Sequence, residues 1–589
     1  MKYASDLPSH LQKYIVEQDY SRYTPQDHAV WRNILRQLHS FMTVNAHPVY
    51  AEGIRKSGIE VNRIPKIETI SENLQRFGWR AVAVSGFIPP AAFMELQAHG
   101  FLPIACDMRT LDHLTYTPAP DIVHEAAGHA PILIDPEFAN YLKRYAKVAK
   151  NAIISSEDLQ MYAAIRSLSD LKEHPNSTKD QIDAAEKQLA KITANISHLS
   201  EAALLGRMNW WTAEYGLFGD LQNPKIFGAG LLSSVGESRN CLSPKVKKIP
   251  LSLDCINYSY DITEQQPQLF VTPDFATLLG VLEQLADTMA FKTGGISGLN
   301  KAIGSKSVNT VELDSGIQIT GELFKIILGR KFEKEHEVAY LSFKGPVQLA
   351  HMGFELDGHS IRRHPEGFGS PLGLLAGAQK NLARMSDSEF ASIGLRVGAP
   401  CDLKFNSGVS LTGEAVRITR SGEGKALVIT FKNTLVKYQG EVLFKPEWGE
   451  YDMAIGSSVT SVFGGPADRD NYSVEQDFEA ARVPEKVMSE ELLTKNSIYQ
   501  LLSDLRSMRV APESNSLEKI SLNLKNIFEI VHGNFSDEWL LFLEIYELAL
   551  KYNLSETAAL ALEALQNSKS LTPSLAGTID DGVRLATKI

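Results

Sequence analysis

The sequence has little cysteine, no long apolar run and no recognisable export signal. Its four cysteines are widely spaced and form no CxxC pair, which argues against a disulfide framework or a zinc ribbon and favours a reducing compartment. No stretch reaches the roughly 18 apolar residues of a membrane helix, and the N-terminus lacks a basic flank followed by an apolar core. We therefore expect a cytoplasmic protein without a membrane partner.

Basic residues are also in deficit. The 59 lysines and arginines are outnumbered by 70 acidic residues, which gives a formal net charge of -11. A negative field repels phosphate backbones, so nucleic acid is not expected as a partner. The 44% of hydrophobic residues can bury a large core, and 589 residues are too many for a lone binding module.

The pattern of apolar residues predicts a multidomain protein. Residues 1–310 are mainly α-helical in pattern, and the charged, Ala-rich stretch 157–205 predicts an inserted helical hairpin. Residues 311–472 alternate β-branched and polar residues between glycines, which predicts a β-rich domain with hairpin turns at NSG and SGEG. Residues 473–589 contain four amphipathic segments, enough for a C-terminal helical bundle. The pattern does not distinguish an internal bundle from a subunit interface, so a homo-oligomer is possible but unsupported.

The segment TYTPAPDIVHEAAGHAPILIDPEF contains two histidines, His124 and His129, and one glutamate, Glu125, within six positions. Glycine at position 128 excludes the HExxH pattern of zinc proteases. On a regular helix the two imidazoles would lie roughly 140° apart, so a shared metal requires a distortion such as a π-type turn. Gly128 and Pro131 are compatible with such a distortion. The alternative is two histidines that are satisfied separately.

A second segment, MNWWTAEYGLFG, places Glu214 inside an aromatic, apolar helix. A buried glutamate is costly unless it is paired or bound to a metal. Two histidines and one carboxylate form the ligand set of non-heme iron(II) oxygenases, which leaves positions open for water, dioxygen or substrate. An ion pair on a half-exposed helix is the alternative for Glu214.

Several motifs, taken in order, resemble the pterin-dependent aromatic amino acid hydroxylases. The motifs are IPKIETISENLQRFGWRAVAVSGFIPPAAF, PDIVHEAAGHAPILIDPEFANY, WWTAEYGLF and FGAGLLSSVGESRNCLS, and the resemblance spans about residues 20–310. It implies a mainly α-helical catalytic core that uses iron(II), tetrahydrobiopterin or a related reduced pterin, and O2 as co-substrate. His124, His129 and Glu214 would be the iron ligands.

The resemblance also implies a substrate site. Arg109 would bind the carboxylate of the amino acid substrate, and Asp121 would hold Arg109 in place. Tyr116 and Thr117 would line the amino acid pocket. Ser233, counted with this pocket, matches one of a pair of serines beside the iron and could orient a ligand imidazole.

The pterin site follows from the same comparison. Gly86, Ile88 and Phe93 match the loop that holds the pterin, with Phe93 expected to stack on the pterin ring. Glu125 matches the acidic residue that faces the pterin across the iron, and is counted with the catalytic residues. Without the resemblance, Phe93 would be interpreted as a core aromatic on a short helix.

Two pocket positions bear on the substrate. The resemblance at Trp210 is to phenylalanine and tyrosine hydroxylases, and an apolar Ile262 resembles phenylalanine or tryptophan enzymes. The intersection predicts a phenylalanine 4-monooxygenase-like enzyme. A tryptophan or other aromatic hydroxylase, or a non-catalytic aromatic amino acid sensor, are the alternatives.

Three residues depart from the family pattern close to the iron. Ala126 and Ala127 replace bulky residues in the first histidine motif, and Asn209 stands where the family usually has tyrosine. The effect of these changes on activity is left open.

One further segment, HMGFELDGHSIRRHPEGFG, contains side chains that could bind a metal. These are His351, Glu355, Asp357, His359 and His364. The segment has no fixed ligand spacing and many charges, so we expect a solvated loop rather than a second metal site. No family resemblance extends over residues 320–589, and their role is open.

Overall fold

The computed structural model describes most of the chain. The described residues are 4–86, 88–114, 121–173, 177–261, 264–332, 335–472, 488–508 and 514–588. Within these ranges no helix is both long and apolar enough to cross a membrane. The described chain forms a helical region with small sheets, then a β-rich region, then a second group of helices.

The first region is mainly helical. Its helices are α1 (Ser9–Gln12), α2 (Pro25–Asn45), α3 (Tyr50–Lys56), α4 (Ile67–Leu74), α5 (Pro90–Ala98), α6 (Ala130–Ile132), α7 (Pro136–Asn151), α8 (Ser156–Glu173), α9 (Lys179–Ala194), α10 (Glu201–Asn209), α11 (Ala229–Leu232), α12 (Val235–Asn240), α13 (Phe275–Ala286), α14 (Ala290–Thr293) and α15 (Gly295–Ser305). Two π-helices, Val123–His129 and Trp210–Glu214, interrupt this series. The strands are β1 (Arg80–Val84), β2 (Phe101–Ala105), β3 (Leu217–Phe218), β4 (Lys225–Ile226), β5 (Lys247–Pro250) and β6 (Gln268–Thr272).

Helix α2 shows how the local sequence sets an element. The Thr24 side chain accepts from the Asp27 backbone, and the Asp27 side chain accepts from the Thr24 backbone, which forms a capping box. Pro25 follows at the first helical position, where its missing N–H costs nothing. Trp31 and Ile34, which lie on one face of the helix at helical spacing, are fully buried.

The predicted hairpin over 157–205 contains two long helices, α8 and α9. They pack against each other, and an ion pair of 2.9 Å joins Lys172 to Glu186. Helix α9 begins with a capping box between Thr178 and Gln181, and none of its residues is buried. This pair of helices therefore contributes little to the main core.

The second region consists of β7 to β17 with one short helix. The strands are β7 (Val308–Leu313), β8 (Ile317–Phe332), β9 (Glu335–His351), β10 (Phe354–Glu355), β11 (Gly367–Pro371), β12 (Pro400–Lys404), β13 (Val409–Arg420), β14 (Ala426–Tyr438), β15 (Glu441–Phe444), β16 (Tyr451–Ala454) and β17 (Val459–Gly464), with α16 (Asp387–Ser392). One sheet has the order β10-β9-β8-β7-β17, with β11 also paired to β9. The other has the order β12-β13-β14-β15, with β16 also paired to β14.

Both predicted hairpin turns are present. NSG connects β12 to β13 with Gly408 at φ 95°, and SGEG connects β13 to β14 with Gly424 at φ 84°. A positive φ of this kind favours glycine, which is why the turns could be recognised in the sequence.

The last helices are α17 (Glu490–Ser507), α18 (Ser514–Asn534), α19 (Trp539–Lys551), α20 (Ser555–Leu571) and α21 (Ala576–Ala586). The predicted C-terminal helices are thus present, and they pack on α2 as well as on one another. Arg32 of α2 makes a buried two-point ion pair with Glu544 of α19, with nitrogen to oxygen distances of 2.7 and 2.9 Å. Trp31 and Leu540 belong to one continuous hydrophobic cluster, so these helices complete the core of the first region. The division at residues 310 and 472 stays a prediction.

Candidate functional site

The first histidine motif forms a π-helix, Val123–His129. The distortion that a shared metal would require is therefore present. The wider turn of a π-helix brings residues five apart onto one side, whereas a regular α-helix separates them. The ring centroids of His124 and His129 lie 5.1 Å apart.

The carboxylate of Glu214 lies between the two imidazoles. Its Oε2 is 3.3 Å from His124 Nε2, and its Oε1 is 3.3 Å from His129 Nε2. Glu214 is itself the last residue of the π-helix Trp210–Glu214. One donor atom from each of the three residues lies within 4.8 Å of the others, which is close enough to share one ion.

Ser233 orients one of these imidazoles. Its Oγ donates to the Ala229 carbonyl at 2.7 Å and lies 3.1 Å from His124 Nδ1, so it is placed to accept the Nδ1 proton. That tautomer leaves a lone pair on His124 Nε2, the nitrogen that faces Glu214. Ser234 has a different task, since it caps α12 by accepting from the Glu237 backbone.

Small residues allow this contact. A Cβ at Gly128 would lie 2.6 Å from the Ala229 carbonyl oxygen, so only glycine lets α11 approach the π-helix this closely. Ala126 and Ala127 are also fully buried there. The close approach of α11 carries Ser233 to His124.

The ionisation of His124 and that of Glu214 depend on each other. Burial opposes the protonated form of His124, but Glu214 outweighs it and raises the pKa of His124 to about 9. Burial likewise opposes ionisation of Glu214, yet the two imidazoles hold the pKa of this carboxyl well below its usual range. Burial raises the pKa of Glu125, whose Oε2 has no hydrogen-bond partner among the described residues. A divalent cation would displace the proton from His124, and the ionised Glu214 and the inward-facing imidazole nitrogens would then form its donor set.

Arg109 and Asp121 form a buried two-point ion pair. Arg109 Nε lies 2.6 Å from Asp121 Oδ2, and Arg109 Nη2 lies 2.8 Å from Oδ1. The same Oδ1 accepts from the backbone N–H of His124 at 3.0 Å. Asp121 therefore fixes Arg109 to the start of the helix that carries the histidines. Tyr116 and Thr117, predicted beside them, lie outside the described residues.

The loop predicted to hold the pterin follows β1. Because β1 and β2 are parallel, their carboxyl ends lie side by side. The backbone N–H of Gly86, after β1, donates to Asp107 Oδ2, after β2, at 3.1 Å. Ile88 and Phe93 are half-buried, and Phe93 lies on α5. Glu125 lies beside the histidines, with its Oε2 3.9 Å from His129 Nε2.

Trp210 lies between two tyrosine rings. The centroid of Tyr215 is 4.4 Å away and that of Tyr260 is 4.3 Å away, both in stacked geometry. Neither tyrosine was predicted from the sequence as a neighbour of Trp210, although Tyr215 stands within the same motif. Ile262 lies outside the described residues.

Asn209, one of the departures from the family pattern, contacts the carboxylate. Its side-chain Nδ2 donates to Glu214 Oε1 at 3.3 Å. No sequence signal identified this contact, because it depends on the π-helical geometry that separates the two residues by one turn.

The resemblance is confirmed by comparison with known proteins. The family model of biopterin-dependent aromatic amino acid hydroxylases matches residues 12–164 and 184–293. The interval between the two matched parts falls on the tip of the α8–α9 pair. Residues beyond 293 lie outside the match.

Named relatives agree. The phenylalanine-4-hydroxylase of Mesorhizobium japonicum is 30% identical over 269 residues, which are 45% of this chain and 81% of the relative. That of Chromobacterium violaceum is 27% identical over 298 residues, or 48% and 84%. A crystal structure of the Chromobacterium violaceum phenylalanine hydroxylase, with bound iron(III) and 7,8-dihydrobiopterin, is 26% identical, covers 49% of this chain and 92% of its own, and has a TM-score of 0.37. By its motifs, its family match and the Mesorhizobium japonicum relative, the chain belongs to the biopterin-dependent aromatic amino acid hydroxylases.

Proposed function

We propose that this protein is an iron(II)- and tetrahydropterin-dependent monooxygenase that uses O2 to convert L-phenylalanine to L-tyrosine. The observation that carries the proposal is the convergence of His124, His129 and Glu214 within 4.8 Å, in a chain of this family. The substrate choice rests in addition on relatives named phenylalanine-4-hydroxylase.

The three residues fit an iron ion. His124 Nε2 and His129 Nε2 each lie 3.3 Å from one oxygen of Glu214, so the three donor groups face a common point. Two imidazoles and one carboxylate leave coordination positions free for other ligands, as non-heme iron oxygenases require. When bound, iron and the reduced pterin together supply the redox chemistry that activates O2.

The chain itself positions the substrate. Asp121 engages Nε and Nη2 of Arg109, so a substrate carboxylate would bind from the Nη1 side of the guanidinium. Because Asp121 also binds the His124 backbone, the carboxylate of the substrate and the metal ligands are held by one rigid unit. Fixing both ends of a small substrate in this way lowers the entropic cost of reaching the reactive geometry.

The aromatic ring of the substrate requires an apolar wall. Trp210, stacked between Tyr215 and Tyr260, is the first residue of the π-helix that ends at Glu214. Tyr260 is two residues from Ile262, the position whose apolar side chain favours phenylalanine over tyrosine. One such contact is worth only about 1–3 kcal/mol, so discrimination among the aromatic amino acids must be measured.

The test is turnover by the full-length protein. It is loaded anaerobically with iron(II), given tetrahydrobiopterin and O2, and offered phenylalanine, tyrosine and tryptophan separately. The product is identified by chromatography and mass spectrometry. Tyrosine formed from phenylalanine is the expected result. Exclusive hydroxylation of tryptophan would overturn the substrate assignment, and iron binding without any product would favour a sensor.

The ligand assignment needs its own variants. Glu214→Ala should lose both bound iron and product. Glu137→Ala, at an exposed glutamate in the first turn of α7, is the matched control and should retain both. A Glu214→Ala protein that still binds iron and turns over would contradict the assignment.

A further inference from the structure

The β-rich region contains a second cluster of two histidines and one carboxylate. His359 Nδ1 lies 3.8 Å and His364 Nε2 lies 3.7 Å from the same oxygen, Asp452 Oδ2. All three donor atoms lie within 4.8 Å of one another. The expectation of a solvated loop is wrong here, because the His359 side chain is 0% exposed, that of Asp452 1% and that of His364 10%.

The two nitrogens that face Asp452 are unpartnered. His359 Nδ1 and His364 Nε2 are buried and have no hydrogen-bond partner among the described residues. Their distances to the carboxylate are too long for hydrogen bonds, and buried polar atoms are normally satisfied. Ligands roughly 2.0–2.2 Å from a common zinc ion lie roughly 3–4 Å from each other, which is the separation seen here.

Histidine can bind zinc through either ring nitrogen, so the inward-facing Nδ1 of His359 and Nε2 of His364 are both suitable donors. Arg417 Nη2 lies 3.5 Å from the far nitrogen of His359, Nε2, a contact too long to fix the tautomer of the ring.

Two other side chains donate hydrogen bonds to the carboxylate of Asp452 and hold it in place. Thr430 Oγ1 donates to Asp452 Oδ1 at 2.6 Å, and Arg363 Nε donates to Oδ2 at 2.9 Å. Arg363 Nη2 in turn binds Glu450 at 2.7 Å, which offsets the charge of the guanidinium. Carboxylates that ligate metals are characteristically hydrogen-bonded by such outer residues.

The cluster lies where two sheets meet. His359 and His364 stand in the connection between β10 and β11, whose sheet is built around β8 and β9. Asp452 stands on β16, which pairs with β14 in the other sheet. An ion at this point would join the two sheets.

We propose that His359, His364 and Asp452 form a second metal site, which binds a divalent transition-metal ion of the zinc class and ties the two sheets together. Imidazole donors disfavour magnesium and calcium, which prefer oxygen ligands, and favour zinc and its neighbours. The site is distinct from the His124, His129 and Glu214 cluster and does not depend on the function proposed for it.

The test is zinc binding by the chelator-stripped full-length protein, followed by calorimetry and elemental analysis. Zinc also fits the first cluster, so the unaltered chain should bind about two equivalents. The double variant His359→Ala/His364→Ala should bind about one, and His124→Ala/His129→Ala should also bind about one. His351→Ala, at the end of β9 and in neither cluster, is the matched control and should bind as the unaltered chain does.

Two outcomes would overturn the proposal. One is a His359→Ala/His364→Ala protein that binds as much zinc as the unaltered chain. The other is a His124→Ala/His129→Ala protein that binds none, a measurement that leaves the β-rich region intact.

A misfolded double variant would not leave the question open. Asp452→Asn is the second test variant, because it keeps the shape of the side chain. The zinc equivalent that this variant retains at the first cluster shows that the protein has folded. In the His124→Ala/His129→Ala background, cobalt(II) should also give ligand-field absorption bands at the second cluster. Absence of these bands would count against the proposal.

Discussion

The two histidine and carboxylate clusters share their donors and their spacing but differ in their surroundings. In each, two histidines five residues apart meet a carboxylate from a distant element. In the first, the His124 and Glu214 side chains keep 23% and 17% of their surface exposed, whereas in the second His359 and Asp452 are closed off at 0% and 1%. Three protein ligands leave coordination positions open in both clusters, but the partly exposed first cluster can exchange the remaining ligands more readily than the buried second one.

The neighbours of each carboxylate sharpen this difference. Glu214 is contacted by two imidazoles and the Asn209 amide, and the guanidinium of Arg109 is engaged elsewhere by Asp121. Asp452, in contrast, accepts directly from Arg363 and from a hydroxyl. Under the two proposals, the same donor set would serve substrate chemistry in one region and stability in the other.

Substitution of the carboxylate ligand should give the largest difference in activity between variants of the two clusters. Glu214→Ala should lower tyrosine formation by about 10³-fold or more, because the metal contributes several kcal/mol to the reaction. Asp452→Asn should leave the iron content of the first cluster intact. Turnover and iron per chain are the measurements, and equal losses of iron in both variants would break the comparison.

An arginine near each cluster provides the next contrast, Arg109 near the first and Arg362 near the second. Arg109→Lys should raise the KM for the amino acid by roughly 10- to 100-fold, with a smaller effect on kcat, since a lysine cannot replace the two-point geometry. Arg362→Lys, at an exposed arginine beside the second cluster, is the control and should leave KM unchanged. Steady-state kinetics with phenylalanine would decide, and an unaltered KM in Arg109→Lys would remove the substrate clamp from the proposal.

Metal removal should affect stability through the second cluster. At free zinc about 100 times the Kd, binding stabilises the folded chain by about 2.7 kcal/mol, a shift in Tm of about 5–11 °C for a region of this size. Scanning calorimetry with and without a chelator measures this shift. In the His124→Ala/His129→Ala background, which removes zinc binding at the first cluster, Asp452→Asn should show no such shift. An equal chelator effect in that variant would assign the stabilisation to another site.

The outer hydroxyl groups should give the smallest effects. Ser233→Ala should weaken iron binding by about 10-fold, and Thr430→Val should weaken zinc binding at the second cluster by a similar factor. Ser234→Ala is the matched control for the first, because Ser234 caps α12 rather than contacting His124. In each variant, the metal affinity should change only at the cluster that the substituted residue contacts. A change in affinity at the other cluster would contradict the independence of the two sites.

Much of the first cluster could be predicted from the sequence. The i, i+5 spacing of His124 and His129 required a distorted helix for a shared metal, and Gly128 made that distortion credible. The family motifs supplied Glu214 and Ser233. The tyrosines around Trp210 and the contact from Asn209 could not be predicted, because they depend on how the π-helix Trp210–Glu214 is wound.

The sequence by itself determined the succession of a helical, a β-rich and a second helical region, the hairpin glycines and the family, since these follow from local periodicity, backbone preference and short motifs. Only the tertiary structure decided that α17 to α21 complete the first core and that His359 and His364 meet Asp452. Asp452 reaches the histidines through the pairing of β16 with β14. Local sequence fixes which face a strand presents, but the choice of a distant partner depends on the summed burial of whole sheets, and no short motif records it.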